Sequence, residues 1–180
     1  MKRDWFSWFR PRCHVAIGFG SNIGDRRAHL DRGLQALAGR QALVAVSSLY
    51  ETEPIGPVPQ GDFLNAVAIV KTRTRPHDLL DELLEIEDGE GRVREEHWGA
   101  RTLDLDLLLY EGVEIHGHRH LTIPHPELKN RRFVIEPLLE VWPDATLPNG
   151  EPVAPMLQAV LDQDVTQIGS WEVDLARQPW

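Results

Sequence analysis

Two aspartates, Asp104 and Asp106, stand two apart in the run Thr102-Leu103-Asp104-Leu105-Asp106-Leu107, and Arg92, Arg94 and Arg101 precede them. In a β-strand alternate side chains share a face, so the aspartates take one side while Leu103, Leu105 and Leu107 take the other. Two carboxylates that close repel each other, and a hard divalent cation is the partner such a pair suits. Magnesium accepts one or two protein carboxylates and completes its shell with water and substrate phosphates. A pair of ions about 3.5–4 Å apart would clamp the attacking and leaving oxygens of an in-line displacement. Arginines on a glycine-punctuated approach suit the same chemistry, because phosphoryl transfer rests on positioning and charge stabilisation. Lys129, Arg131 and Arg132 extend that basic set. The competing reading is a half-exposed strand with its acids outward, beside a solvated charge run that includes Glu90, Glu95 and Glu96.

A second constellation is aromatic and polar. Phe63 and Asn65 lie two apart on an apolar run and face the same way, and Phe133 follows later. An aromatic face beside a carboxamide can stack a flat heterocycle and hydrogen-bond along its edge. Here too there is a plainer reading, in which both phenylalanines are core. The eight histidines form no HExxH pair and no ligand spacing with the single cysteine, so a zinc site is not indicated and His116, His118 and His120 read as an exposed turn. Neither GxxxxGK[ST] nor GxGxxG occurs, which disfavours P-loop and dinucleotide-binding chemistry.

The elements that must carry these residues follow from period and punctuation. His14–Phe19 reads as a strand ending in the turn cluster Gly20-Ser21-Asn22. Asp25 is placed to cap a helix with an apolar stripe at Leu30, Leu34 and Leu37, closed near Gly39. Leu43–Tyr50 is a second strand, and residues 51–61, with their three prolines, form a loop. Phe63–Lys71 is a third strand. Pro76 opens a second helix through Leu79, Leu83 and Ile86, stopped by Asp88-Gly89-Glu90-Gly91. Residues 92–100 form another loop, and Thr102–Tyr110 is a fourth strand with a doubly buried leucine run. A helix is expected near Arg132–Leu139, and Pro155–Leu161 is a further helical stretch. This order is βαββαβ, a ferredoxin-like α+β arrangement in which an antiparallel sheet carries helices packed on one face.

Composition bounds the rest. The chain has 180 residues, 42% of them hydrophobic and 26% charged, which suits one globular domain. Nineteen Lys and Arg against 28 Asp and Glu leave a net charge of −9, which argues against a broad nucleic-acid footprint. Cys13 alone makes no internal disulfide, and no apolar run approaches the ~18 residues of a membrane span. A cytoplasmic protein is expected, monomeric or, as the alternative, dimeric. Residues 1–13 interleave Lys2, Arg3, Arg10 and Arg12 with Trp5, Phe6, Trp8 and Phe9 and read as a flexible extension ahead of one domain over 14–180.

Taken together, these segments resemble the 6-hydroxymethyl-7,8-dihydropterin pyrophosphokinases of folate biosynthesis. The resemblance runs from about Val15 to Gly150. It is carried by Gly18-x-Gly20-Ser21-Asn22-x-Gly24-Asp25, Ser47-Ser48-x-Tyr50-x-Thr52-x-Pro54-x-Gly56 and Asp62-Phe63-x-Asn65. It continues in Gly91-Arg92-Val93-Arg94, the segment Trp98–Asp106, Pro124-His125 and Lys129-Asn130-Arg131-x-Phe133.

What the resemblance implies is transfer of pyrophosphate from ATP to the pterin hydroxymethyl group, with release of AMP. Asp104 and Asp106 would hold two magnesium ions, and Arg92 and Arg101 would stabilise the moving phosphates. Asn65 would bind the pterin edge between the rings of Phe63 and Phe133, with Thr52, Pro54 and Ile55 completing the pocket and Trp98 closing over it. Glu87, Arg94, Leu107, Thr122, His125 and Arg131 fall at positions associated with ATP, together with Arg92, Trp98 and Arg101. Ala100 replaces a usual proline, Pro126 a frequent tyrosine and Phe63 an occasional one, and residues 94–98 are slightly shorter than in some relatives. The alternatives are a catalytically silent pterin- or nucleotide-binding regulatory module and a metal-dependent hydrolase built on the same aspartates.

Overall fold

The computed structural model describes residues 11–54, 59–91, 100–118 and 120–172. Its spine is β1 (Cys13–Ser21), which is flanked on both sides along its length. Val15, Ile17 and Phe19 point into one core, while Ala16 on the opposite face joins a second. The helix α1 (Arg26–Ala38) starts where the Asp25 carboxylate accepts the Ala28 N–H at 3.1 Å, and Leu30, Leu34 and Leu37 are its buried stripe. Gly33 lets that helix settle on the sheet, since a Cβ there would lie 2.7 Å from Leu103 Cδ2.

The run expected as one strand over 43–50 is two: β2 (Ala42–Val46) and β3 (Leu49–Thr52). The break falls on Ser47-Ser48. Ser47 Oγ accepts the Val67 N–H at 2.9 Å and donates to the Ser48 carbonyl at 2.7 Å. The Ser48 N–H turns away from the ladder to the Glu140 carboxylate at 3.0 Å. Serine side chains compete with ladder pairing, and here they win over the apolar alternation around them.

The long strand β4 (Phe63–Thr72) pairs with β1, β2 and β3. Helix α2 (Pro76–Gly89) begins on proline, and β5 (Asp104–Tyr110) then pairs antiparallel with β1. The histidine-rich stretch expected as a turn is a hairpin, β6 (Ile115–His118) with β7 (Leu121–Ile123), turned through Gly117 and His120 at positive φ. Helix α3 (Arg132–Val141) follows, then a 3-10 segment at Ala154–Val160 and an edge strand β8 (Thr166–Gly169). The main sheet runs β5-β1-β4-β3-β8, with β2 also on β4, and the pairings along it are antiparallel.

The antiparallel α+β sheet is as the sequence predicts, but helices cover both faces rather than one. Leu30, Leu79, Leu83 and Leu103 belong to the core beneath α1 and α2. Val134, Ile135 and Leu138 of α3 pack with Val67, Leu108 and Leu109 on the opposite face. The chain beyond α3 closes the first core too: the Trp171 indole meets Phe19 edge-on at 5.3 Å, and its N–H donates to Asp31 at 2.7 Å. No helix among the described residues is long and apolar enough to cross a membrane.

Candidate active site

Two rows of residues cross the sheet on the α3 side. In one, Gly20 of β1 stands between Asn65 of β4 and Asp104 of β5; in the next, Gly18 stands between Val67 and Asp106. The missing side chains matter. A Cβ on Gly20 would lie 3.5 Å from Asn65 Oδ1, 3.7 Å from Asp104 Cβ and 3.8 Å from Phe63 Cδ1. The glycines therefore leave bare backbone as the floor of a cleft of about 140 Å³, walled by β4 on one side and β5 on the other.

The β5 wall is acidic. Asp104 and Asp106 both line the cleft, and Leu105 and Leu107 pack in the core behind them. Arg101 donates from Nη1 to Asp104 Oδ2 at 2.6 Å. Burial works against the Arg101 charge, yet the hydrogen bond and charge of Asp104 outweigh it and hold the guanidinium above its usual range. The Asp106 carboxyl is pushed above the usual carboxylate range, first by burial and then by the neighbouring charge of Asp104. The open cleft still leaves 39% of that side chain within reach of solvent. His125 Nδ1 accepts the Glu127 N–H at 3.2 Å, so its proton sits on Nε2, which faces Asp106 Oδ1 at 3.9 Å.

This donor set fits magnesium. Two hard carboxylates share one face, burial disfavours the charged form of Asp106, and Arg101 donates its hydrogen bond to Asp104. Among the described residues no group of three or more His, Cys, Asp or Glu is gathered to cage a metal. The arrangement is that of an ion completing its shell with phosphate and water.

The β4 wall is aromatic and polar. Asn65 is 5% exposed, and its Nδ2 donates to Thr52 Oγ1 at 2.8 Å, which turns the amide oxygen toward the floor. Phe63 from β4 and Phe133 from α3 both line the cleft, and Arg131 sits 5.7 Å from the Phe133 ring centroid. One residue outside the cleft ties the two walls together. Asn22 accepts the Arg101 N–H on Oδ1 at 2.7 Å and donates its own backbone N–H to the Arg101 carbonyl at 3.0 Å. Its Nδ2 donates to Gln60 Oε1 at 2.9 Å and to the Gly61 carbonyl at 3.2 Å.

A family model for 7,8-dihydro-6-hydroxymethylpterin-pyrophosphokinase matches residues 16–143, which contain both walls. The chain belongs to that family. The Haemophilus influenzae 2-amino-4-hydroxy-6-hydroxymethyldihydropteridine pyrophosphokinase is 43% identical over 154 residues, covering 84% of this chain and 96% of that one. The Pseudomonas aeruginosa protein of the same name is 42% identical over 147 residues, 81% of this chain and 90% of that one. Among solved structures, the Plasmodium falciparum HPPK-DHPS with pteroate superposes with a TM-score of 0.66 at 12% identity, over 87% of this chain and 45% of that one. The chain thus spans under half of that longer protein, and the likeness carries the fold.

Against the pyrophosphokinase pattern, the cleft brings together Thr52, Phe63, Asn65, Arg101, Asp104, Asp106, Arg131 and Phe133. His125 stands just outside it, against Asp106. Three positions associated with ATP lie elsewhere. Leu107 packs its side chain into the α1–α2 core, Glu87 is fully buried beneath β5, and Thr122 on β7 accepts the Gly117 N–H at 3.1 Å. Pro54 is not among the cleft walls, and Ile55, Arg92, Arg94 and Trp98 fall outside the described residues. Glu53 and Gln60 line the cleft without having been singled out from the sequence. Their signal was weak, because both sit in a loop whose glycines and prolines carry no period.

Proposed function

We propose that this chain transfers pyrophosphate from ATP to the hydroxymethyl group of 6-hydroxymethyl-7,8-dihydropterin and releases AMP, within folate biosynthesis. Membership of the pyrophosphokinase family, at 42–43% identity over most of the chain, supports the reaction class. The geometry that carries the reading is the Asn65–Gly20–Asp104 row, which sets a ring-reading amide and a metal-suited carboxylate two strand spacings, roughly 10 Å, apart across bare backbone. That gap suits a pterin at one end and a triphosphate at the other, with the hydroxyl between them.

In this mechanism Phe63 and Phe133 stack the heterocycle and Asn65 presents its oxygen to donors on the ring edge. The hydroxymethyl oxygen attacks the β-phosphorus in line, the bond from that phosphorus to the α,β-bridging oxygen breaks, and the hydroxyl proton is lost to solvent or base. Asp104 and Asp106 would hold the magnesium, which supplies charge neutralisation and in-line orientation of the phosphates. Arg101 stays protonated at the rim and offsets charge that develops on the departing AMP. Residues 14–180 work as one catalytic domain, and the two-ion arrangement, a monomeric chain and a cytoplasmic setting belong to the same proposal.

Product analysis tests it. ATP, magnesium and the reduced pterin should yield AMP and the pterin diphosphate, with no AMP when the pterin is left out. Pyrophosphate or phosphate released without acceptor would identify a hydrolase. Binding of both substrates with no AMP would identify a silent binding module, which membership in this enzyme family does not favour.

A further inference from the structure

The run Ser47-Ser48-x-Tyr50 belongs to the pyrophosphokinase pattern, yet neither Ser48 nor Tyr50 lines the cleft. Their polar groups converge instead on one carboxylate of α3. Glu140 accepts the Ser48 N–H at 3.0 Å, the Ser48 hydroxyl at 2.8 Å and the Tyr50 hydroxyl at 2.8 Å. Tyr50 is 3% exposed, and burial, followed by the hydrogen bond to Glu140, pushes its phenol above the usual range, so the hydroxyl stays a donor. Three donors on one anion make a charge-assisted clasp between helix and strand.

The clasp stands behind both halves of the ring site. Tyr50 is the register partner of Asn65, so it extends the Asn65–Gly20–Asp104 row by one strand. Directly opposed residues of an antiparallel pair send their side chains to the same face, which sets Tyr50 beside Asn65. Thr52, which takes the Asn65 amide N–H, is two residues further along the same strand. On the helix, Phe133 lies seven residues before Glu140, about two turns and about 10 Å away along the same face. Val134, Ile135 and Leu138 hold α3 on the sheet by apolar burial, which has no direction of its own. The clasp adds the directional contact that fixes where along β3 the helix sits. We propose that Glu140 is a positioning residue for the pterin site, clasping α3 to β3 so that Phe133 and Asn65 keep the separation a stacked ring needs. The inference rests on the reading of Asn65 and Phe133 as ring-binding groups.

The test uses the full chain with E140L, E140Q and the double variant S48A/Y50F, and reads KM for the pterin, KM for ATP, kcat and the urea midpoint. E140L should raise the pterin KM about fivefold or more, with the ATP KM and kcat within about twofold. E140Q keeps an oxygen for Ser48 and should return the pterin KM to within about twofold of the unaltered protein. A lower urea midpoint with an unchanged pterin KM would mark a purely structural tie and overturn the proposal, as would an equal rise in both KM values. An E140Q protein as impaired as folded E140L overturns it too, because charge and not the hydrogen-bonded clasp would then be acting. If E140L does not fold, S48A/Y50F decides, since it removes both hydroxyl donors and leaves Glu140 in place. It should raise the pterin KM about threefold with the ATP KM unchanged, and an unchanged pterin KM overturns the proposal. No AMP from the unaltered protein with both substrates would overturn it through the reading of the site itself, a result distinct from any change in the variants' KM values.

Discussion

At the scale of single residues, the cleft separates groups that bind from groups that act on moving charge. Asp104 and Asp106 belong to the second kind, and their neutral isosteres should show it. Asp104→Asn and Asp106→Asn are each expected to lower kcat by about 10²–10³-fold, while pterin affinity without nucleotide stays near its starting value. Near-normal turnover in both variants would refute the metal role. Thr52 belongs to the first kind, because its hydroxyl takes the Asn65 amide N–H and leaves the amide oxygen for the ligand. Thr52→Val keeps the shape and removes the acceptor, so Asn65 is free to present either end. The KM for the pterin should rise about tenfold, or about 1.4 kcal/mol, with kcat little changed. An equal fall in kcat would instead place Thr52 in the chemistry.

Between elements, what could be read from the sequence was the part that period and caps encode. The Asp25 cap, the Leu30–Leu34–Leu37 stripe and the proline start of α2 are local signals, and the helices form where those signals lie. The split at Ser47-Ser48 was not legible, because the groups that cause it, Val67 and Glu140, are distant in sequence. For the site, the burial of the Glu87 and Leu107 side chains was equally illegible, because it depends on how α2 and β5 pack and not on motif position.

Asn22 acts at this same scale, joining the loop before β4 to the start of β5. Asn22→Asp keeps the acceptor for Arg101 but sets oxygen against Gln60 Oε1 and the Gly61 carbonyl. It should raise the KM for the pterin about tenfold with a smaller effect on ATP, whereas an equal rise in both would show that the Arg101 arm had also failed. The junction of α1 and α2 carries the pH dependence. Hydrogen bonding by Arg32 holds the Glu90 carboxyl below its ordinary value of 4.5. Its stabilisation is therefore complete above that value and is lost as pH falls through the lower folded one, where the unfolded chain binds the extra proton. Urea midpoints taken from neutral pH into the acid range should fall less steeply for Glu90→Gln than for the unaltered protein; parallel curves would remove Glu90 from the acid limb.

For the molecule as a whole, the family match ends at residue 143 but the core does not. Residues beyond it supply Val153 and Val160 to the α3 side and Trp171 to the α1–α2 side, where the indole is 4% exposed against Phe19. Phe19 lies on β1 between Gly18 and Gly20, so this contact backs the floor of the cleft from the opposite face of the sheet. Trp171→Ala removes the ring and leaves the Asp31 hydrogen bond unmade, which should cost about 3–5 kcal/mol of stability. For a chain of this size that corresponds to a fall in Tm of roughly 10 °C. Because Gly18 and Gly20 stay paired to β4 and β5, catalysis at low temperature should be retained, with the loss confined to the thermal midpoint. Trp171→Phe keeps most of the buried area and gives up only the N–H, so it should recover the larger share of that fall. An unchanged midpoint for Trp171→Ala would mean that the C-terminal segment rests on the core without supporting it, and that the matched residues 16–143 are sufficient for the fold.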